Sequence, residues 1–255
     1  MSRQPTRIQS VTRAAALLEF VATEPAGRTA GEVAAAVGVP LPTAYHLLNT
    51  LVDAGFLAKS EARRYQLGTR IGLLADAFLA QVSAPHHLLE HVRDLAHRTG
   101  ETAYLSAWRN GDAMLLSVVE GHRAVRVAGL HLGYAGVTHA RASGKVLLAS
   151  GPRGTLERYL DSHDIVSRTR RRPGYAEALR IELDRVLKRG YAIDEEEFAE
   201  GVVCIAAPVA DGTLALGIST PVERYQAMKD ELVSAVVSFA AKARSFAPLP
   251  VEKVS

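Results

Sequence analysis

Between Gly38 and Gly55 the chain reads VPLPTAYHLLNTLVDA, and this stretch leaves few choices of local structure. Ala44, Leu47, Leu48 and Leu51 stand at i, i+3, i+4 and i+7, the spacing of one apolar helix face. Pro42 suits the first turn, where its missing N–H costs nothing, although Leu41 is a poor N-cap. The opposite face carries Thr43, Tyr45, His46, Asn49 and Thr50, all able to hydrogen-bond to base edges or phosphates.

Two helices precede this one. Val11, Ala14, Leu18 and Val21 recur at helical spacing from Ser10, a candidate N-cap, to Ala22. After the interruption at residues 24–27, Thr29 and Glu32 have the spacing of a capping box, opening a short helix that ends at Gly38. Downstream, residues 56–59 and 64–67 flank a polar turn and read as a hairpin bearing Arg63 and Arg64. Helix, helix, turn, helix and hairpin is the order of a winged helix-turn-helix. In that arrangement Arg63 and Arg64 on the wing and Arg13 on the first helix would meet phosphates. The plainer alternative is a three-helix interaction module with a solvated polar face.

The charge distribution bears on this choice. Residues 1–70 hold eight Lys or Arg against five Asp or Glu, whereas residues 71–255 hold 22 of each. The whole surplus of +3 therefore lies in the first quarter, as suits a polyanion-binding head on a neutral body, the bland alternative being chance in a small surplus. No run approaches the roughly 18–20 apolar residues of a membrane-spanning helix, and residues 1–7 lack the apolar core of a signal peptide. The expectation is a cytoplasmic protein with no membrane partner. One cysteine, Cys204, excludes an internal disulfide, and nine histidines without metal-ligand spacing point to no metal and no cofactor.

Six collinear stretches of the chain resemble the IclR family of bacterial transcriptional regulators. They are SVTRAAALLEFVA, GVPLPTAYHLLNTLVDAGFL and RRYQLGTRIGLLA in the head, then HARASGKVLLAS, RGYAIDEEEFAEGVVCIAAPV and LALGISTP in the body. The resemblance implies an α+β chain with three parts. These are a winged helix-turn-helix over residues 1–68, a linker helix over 69–83 and a GAF-like effector-binding domain over 84–255. It also implies assembly as a homodimer or homotetramer on a double-stranded, palindromic DNA operator, and regulation, most often repression, of a metabolic operon. Where the family commonly has Lys-Ser-Thr-Val-His-Arg, this chain has Leu41-Pro42-Thr43-Ala44-Tyr45-His46. Two cationic contacts are missing, so a weaker salt dependence and a different base sequence are expected, with His46 either touching a base or facing water.

Beyond the head, Ile71, Leu74, Ala75, Phe78 and Val82 mark one amphipathic helix from Thr69 to Val82, suited either to its own body or to a dimer seam. The body then reads as a helix with Leu88, Val92 and Leu95, and strands Thr102–Trp108 and Ala113–Val119 around Asn110-Gly111. A strand over Ala124–Leu130, helices Ala142–Ala149 and Tyr175–Leu187, and strands Val202–Val209 and Thr213–Ser219 follow. Thr220 and Glu223 have capping-box spacing ahead of a final helix, with Pro221 at its first position. A central antiparallel sheet flanked by helices is the expected body.

No nucleophile elbow, phosphate loop or dinucleotide fingerprint is present, so no enzyme activity is expected. Carried over by matching motif, the resemblance implies effector contacts at Ala142, Ser143, Asp194, Cys204 and Ser219. Gly217 stands where many relatives have a second serine, which implies one polar contact fewer and a larger pocket. Each residue also has a bland reading: Cys204 as inert core, Asp194 as the start of a solvated acidic run, Ser143 as a helix cap. Ser143 facing a pocket at a helix start would suit a small carboxylate-bearing effector. The basic run of residues 168–172 fits a solvated loop better than a second DNA contact. An enzyme with a localising head and an architectural DNA-binding protein are the competing classes; turnover and sequence-independent binding would mark them.

Overall fold

The computed structural model describes residues 8–81, 84–125, 127, 130–163, 165, 175–209 and 211–243. The chain divides into two compact units, Met1–Gln81 and Val82–Ser255.

In the first unit, α1 (Gln9–Ala22), α2 (Ala30–Val37) and α3 (Leu41–Asp53) precede the hairpin β1 (Leu57–Lys59) and β2 (Tyr65–Leu67), and α4 (Thr69–Gln81) follows. Leu17 and Val21 of α1, Ala30 and Val33 of α2, Leu48 of α3, Leu57 and Tyr65 form one core. The α1 stripe therefore runs through Leu17 rather than Val11, which is 64% exposed. Ile8, not Ser10, is the N-cap of α1, and Pro40 rather than Leu41 is that of α3; Leu41 is already helical. The expected capping box at α2 is formed: Glu32 N–H donates to the Thr29 hydroxyl, and Thr29 N–H to the Glu32 carboxylate at 2.6 Å. Gly38 ends α2 with φ +66°, a left-handed turn that costs glycine nothing and lets α3 start at a new angle. Arg28 and Tyr65 exchange backbone hydrogen bonds of 2.9 and 2.7 Å, which joins a third short segment to the wing beside β2.

In the second unit, α5 (His86–Thr99), β3 (Thr102–Arg109) and β4 (Asp112–Val119) lead to a 3₁₀ turn at Thr138–Ala140. They are followed by α6 (Ala142–Ser150), α7 (Thr155–Ser162) and α8 (Tyr175–Arg189), then β5 (Ala192–Glu195), β6 (Val202–Val209), β7 (Leu214–Pro221) and α9 (Val222–Ala243). The sheet order is β4-β3-β7-β6-β5, every pair antiparallel. Alternation along the strands gives the sheet two buried faces. One buries Leu105, Ile205, Leu216 and Ile218 against α5 and α9. The other packs Ala113, Ala206 and Ala215 with Ala142 and Val146 of α6 and Val186 of α8. At the β3–β4 turn, Asn110 and Gly111 both have positive φ, +51° and +87°, as the tight hairpin requires.

Three readings of the body change. Thr220 and Pro221 belong to β7 and Val222 opens α9, so the strand occupies the expected cap. The expected strand over 124–130 falls partly outside the described residues, and residues 124, 125, 127 and 130 form no strand. Helix α7 and strand β5, short and charged, were not expected as elements from periodicity. The basic run of residues 168–172, Val82 and Ser83 lie outside the described residues. Among the described residues, no helix is long and apolar enough to cross a membrane.

Candidate functional site

The helix α3 buries Ala44 and Leu48 and turns Tyr45, His46, Asn49 and Thr50 outward, with Thr43 half-buried at the margin. The Thr50 hydroxyl donates to the His46 carbonyl at 2.8 Å, so it is partly engaged within the helix. On the wing, Arg63 is exposed in a left-handed conformation at φ +57°. Arg64 is tied inward: its Nε donates to the Gly27 carbonyl at 3.0 Å, and a terminal nitrogen lies 3.7 Å from the Glu32 carboxylate. Arg13 is half-buried on α1. Among the described residues, an exposed polar helix face and the exposed wing cations Lys59 and Arg63 are what this unit presents for a polyanion.

In the second unit the implied effector residues are far apart in sequence and adjacent in the sheet. Asp194 on β5 is opposite Cys204 on β6, Cys204 is opposite Ser219 on β7, and Ser219 is opposite Thr102 on β3. Side chains at directly opposed positions share a face, so the four form one row across the sheet. The helix α6 packs over the same face, Ala142 and Cys204 lying in one apolar cluster. Ala142, Ser143, Asp194 and Ser219 are at most 1% exposed, and Cys204 is 8% exposed.

Buried polar atoms are almost always paired, so exceptions are informative. The Ser143 Oγ and Asp194 Oδ2 atoms are both buried with no hydrogen-bond partner. Ser143 is not the cap of α6: Arg141 occupies that position and makes no side-chain cap bond. Asp194 uses only Oδ1, which accepts from the N–H groups of Glu197 and Phe198 at 2.7 and 3.2 Å. The reading of Asp194 as the start of a solvated run is thereby excluded.

Burial dominates the electrostatics. It pushes the Asp194 carboxyl up to about 7 despite the nearby Lys145 ammonium and two N–H donors. Lys145 is itself buried and anchored to the Ile193 carbonyl at 3.0 Å and to the Glu197 carboxylate. Burial, with the Asp194 charge, pushes the Cys204 thiol up to about 12, so it is a neutral group, hydrogen-bonded to Ser219 at 3.1 Å. The site is thus a set of neutral O–H and S–H groups and one carboxyl that burial pushes up to about 7, under the first turn of α6. A neutral thiol of this kind is a poor nucleophile. Among the described residues, no group of three or more His, Cys, Asp or Glu side chains is placed to hold a metal.

Three residues of this region were not anticipated. Tyr104 stands on the same face of β3, one row from Ser219, with its phenol near the Cys204 thiol. Arg141, buried at the start of α6, donates to the Ala113 carbonyl at 2.8 Å and lies over the Tyr134 ring. Lys145 is a cation within an otherwise apolar helix. The alternation Thr102, Tyr104, Ser106, polar on a buried face, was the available signal for Tyr104. The larger pocket expected from Gly217 is not found at that position. A Cβ there would be 2.7 Å from the Tyr104 hydroxyl and 2.5 Å from the Ile205 carbonyl, so the space is already filled.

Comparison with known proteins agrees with this two-unit arrangement. Residues 10–61 match the IclR helix-turn-helix domain, and residues 78–245 match the bacterial transcriptional regulator IclR C-terminal domain. The chain is 32% identical to the glycerol operon regulatory protein of Streptomyces griseus, over 92% of this chain and 94% of that protein. It is also 32% identical to the regulator BhcR of Paracoccus denitrificans, over 95% and 88% of the two chains. Among solved structures, a transcriptional regulator from Rhodococcus sp. RHA1 superposes with a TM-score of 0.70 at 28% identity, covering 94% of this chain and 98% of the other. An IclR homologue from Microbacterium hydrocarbonoxydans, complexed with 4-hydroxybenzoate, has the same fold, with a TM-score of 0.68 at 22% identity over 92% and 98% of the two chains. With a DNA-binding helix-turn-helix and an effector-binding domain, and not an enzyme, the chain belongs to the IclR family of bacterial transcriptional regulators.

Proposed function

We propose that this regulator is a repressor of a metabolic or catabolic operon that binds a palindromic operator and responds to a small carboxylate-bearing effector. The observation that carries the effector reading is the pair of unsatisfied buried oxygens, Ser143 Oγ and Asp194 Oδ2, flanking a row of neutral donors beneath the first turn of α6. Leaving such groups unpaired costs about 1–3 kcal/mol each, a penalty that a ligand accepting and donating there would relieve. The α6 N–H groups and dipole favour an anion. Asp194 in its protonated form would donate to a carboxylate instead of repelling it. The fold holds 4-hydroxybenzoate, an aromatic carboxylate, in the Microbacterium protein, which is compatible with this class of ligand.

On the DNA side, we assign base contacts to Thr43, Tyr45, His46, Asn49 and Thr50, and phosphate contacts to Arg13, Arg63 and Arg64. Palindromic recognition requires a two-fold assembly, and α4 offers Leu73, Leu74, Phe78 and Leu79, 37–70% exposed in the single chain, as a seam for it. The effector can change DNA affinity only by binding the DNA-competent and incompetent states unequally. The test is to retain sheared genomic DNA from the source organism on the purified protein and sequence it. A few fragments sharing a palindrome, released by a metabolite of the flanking genes, support the proposal. Uniform retention of all fragments overturns operator-specific regulation.

A further inference from the structure

The row of the sheet next to Asp194, Cys204, Ser219 and Thr102 is made of small residues. Ala192, Ala206 and Gly217 are opposed in turn across β5, β6 and β7, and Tyr104 on β3, itself opposed to Val118 on β4, continues the row. Three residues with at most one side-chain carbon leave room above the sheet, and the Tyr104 phenol occupies it. Its hydroxyl lies 2.7 Å from the position a Cβ on Gly217 would take, and its ring carbon 2.8 Å, so any side chain at 217 would displace it. From there the hydroxyl neighbours the Cys204 thiol, which is hydrogen-bonded to Ser219 at 3.1 Å. Tyr104 is only 3% exposed, and burial with the neighbouring Cys204 and Asp194 holds its phenol well above the usual range, as a neutral donor. The Arg141 guanidinium, at the start of α6, is close enough to act on both the phenol and the thiol.

We infer that Tyr104 is a specificity-determining residue of the effector site, admitted by Gly217, which supplies an O–H donor to the ligand and restricts the site to compact aliphatic carboxylates. This rests on the carboxylate reading above. The phenol and the Cys204–Ser219 pair lie side by side as donors on one face of the sheet, and α6 closes the face above them. A ligand bearing an aromatic ring must compete with the Tyr104 ring for the space over Ala206 and Gly217, whereas a ligand of a few atoms can accept from the phenol.

The probes are propionate and 4-hydroxybenzoate, titrated into the full-length protein and followed by the intrinsic fluorescence of its single tryptophan, Trp108, and by thermal shift. Wild type is expected to bind propionate at least tenfold more tightly than 4-hydroxybenzoate. Tyr104→Phe keeps the ring and loses the donor, so propionate affinity falls about tenfold while the melting temperature is retained. Tyr104→Ala opens the space and brings 4-hydroxybenzoate to equal or better affinity than propionate. Propionate binding unchanged in Tyr104→Phe, together with unchanged preference in Tyr104→Ala, overturns the role of Tyr104 while leaving the carboxylate reading intact. A wild type that binds neither acid overturns both.

Discussion

Asp194 and Cys204 are directly opposed across β5 and β6, and burial raises both, the carboxyl to about 7 and the thiol to about 12. In this buried row the charged forms are penalised, and the consequences are measurable.

Because Asp194 binds its proton more tightly folded than unfolded, folding is favoured by low pH and loses stability as pH rises. The unfolded carboxyl ionises near 3.8 and the folded one near 7, so the loss occurs between those values and is complete above 7. At about 1.4 kcal/mol per unit its ceiling is about 4 kcal/mol. Urea midpoints followed by Trp108 fluorescence are expected to fall from pH 5 to pH 8. Asp194→Asn keeps the acceptor for the Glu197 and Phe198 N–H groups and should flatten that slope; a slope unchanged in the variant would contradict the assignment.

The Ser143 hydroxyl makes no hydrogen bond within the protein, so removing it should leave folding almost untouched. Ser143→Ala is expected to hold the melting temperature within about 1 °C, or raise it, as relief of an unpaired buried group predicts. Effector-induced DNA release should become about tenfold less sensitive. A lower melting temperature with an unchanged effector response would show that the hydroxyl is structural.

At the DNA end, the helix face is neutral where cations are common in the family. Each phosphate contact contributes about 0.9 to the slope of log affinity against log salt. His46→Arg is expected to steepen that slope by about one such unit, and Arg63→Ala to reduce it by the same amount with little change in sequence preference. Asn49→Ala should instead relax the preference at one base pair per half-site, costing about 1–3 kcal/mol there. Binding titrations at several salt concentrations separate these outcomes.

For assembly, Phe78 is 38% exposed on α4 in the single chain, beside Leu74. Phe78→Asp would place an unpaired charge in the proposed seam at a cost of about 3–5 kcal/mol, weakening the dimer by at least ~100-fold. Sedimentation velocity should show monomer where the wild type is assembled, with operator affinity lost in parallel. An intact assembly would remove α4 from the interface.

The winged helix-turn-helix was legible because its determinants are local. The Thr29–Glu32 capping box, the stop at Gly38 and the stripe of Ala44 and Leu48 each act within a few residues, and α3 turns outward the face that the spacing left polar. Errors at this level were also local: caps misplaced by one or two residues at α1 and α3, where no side chain caps the helix. The short elements β5 and α7 carry charges that mask their periodicity, and were missed for that reason.

What the chain determined alone was therefore the type and order of most elements, because helix caps, turn glycines and apolar periodicity act through hydrogen bonds and burial over a few residues. What tertiary structure decided was the proposed effector row. Asp194, Cys204, Ser219 and Thr102 meet only through the register of four strands, and Gly217 marks a space only because Tyr104, more than a hundred residues earlier, is brought opposite it. Register is set by packing of the whole sheet between α5 and α9 on one face and α6 and α8 on the other. A slip of one residue would turn the row to the opposite face, and no local signal in any single strand encodes that choice.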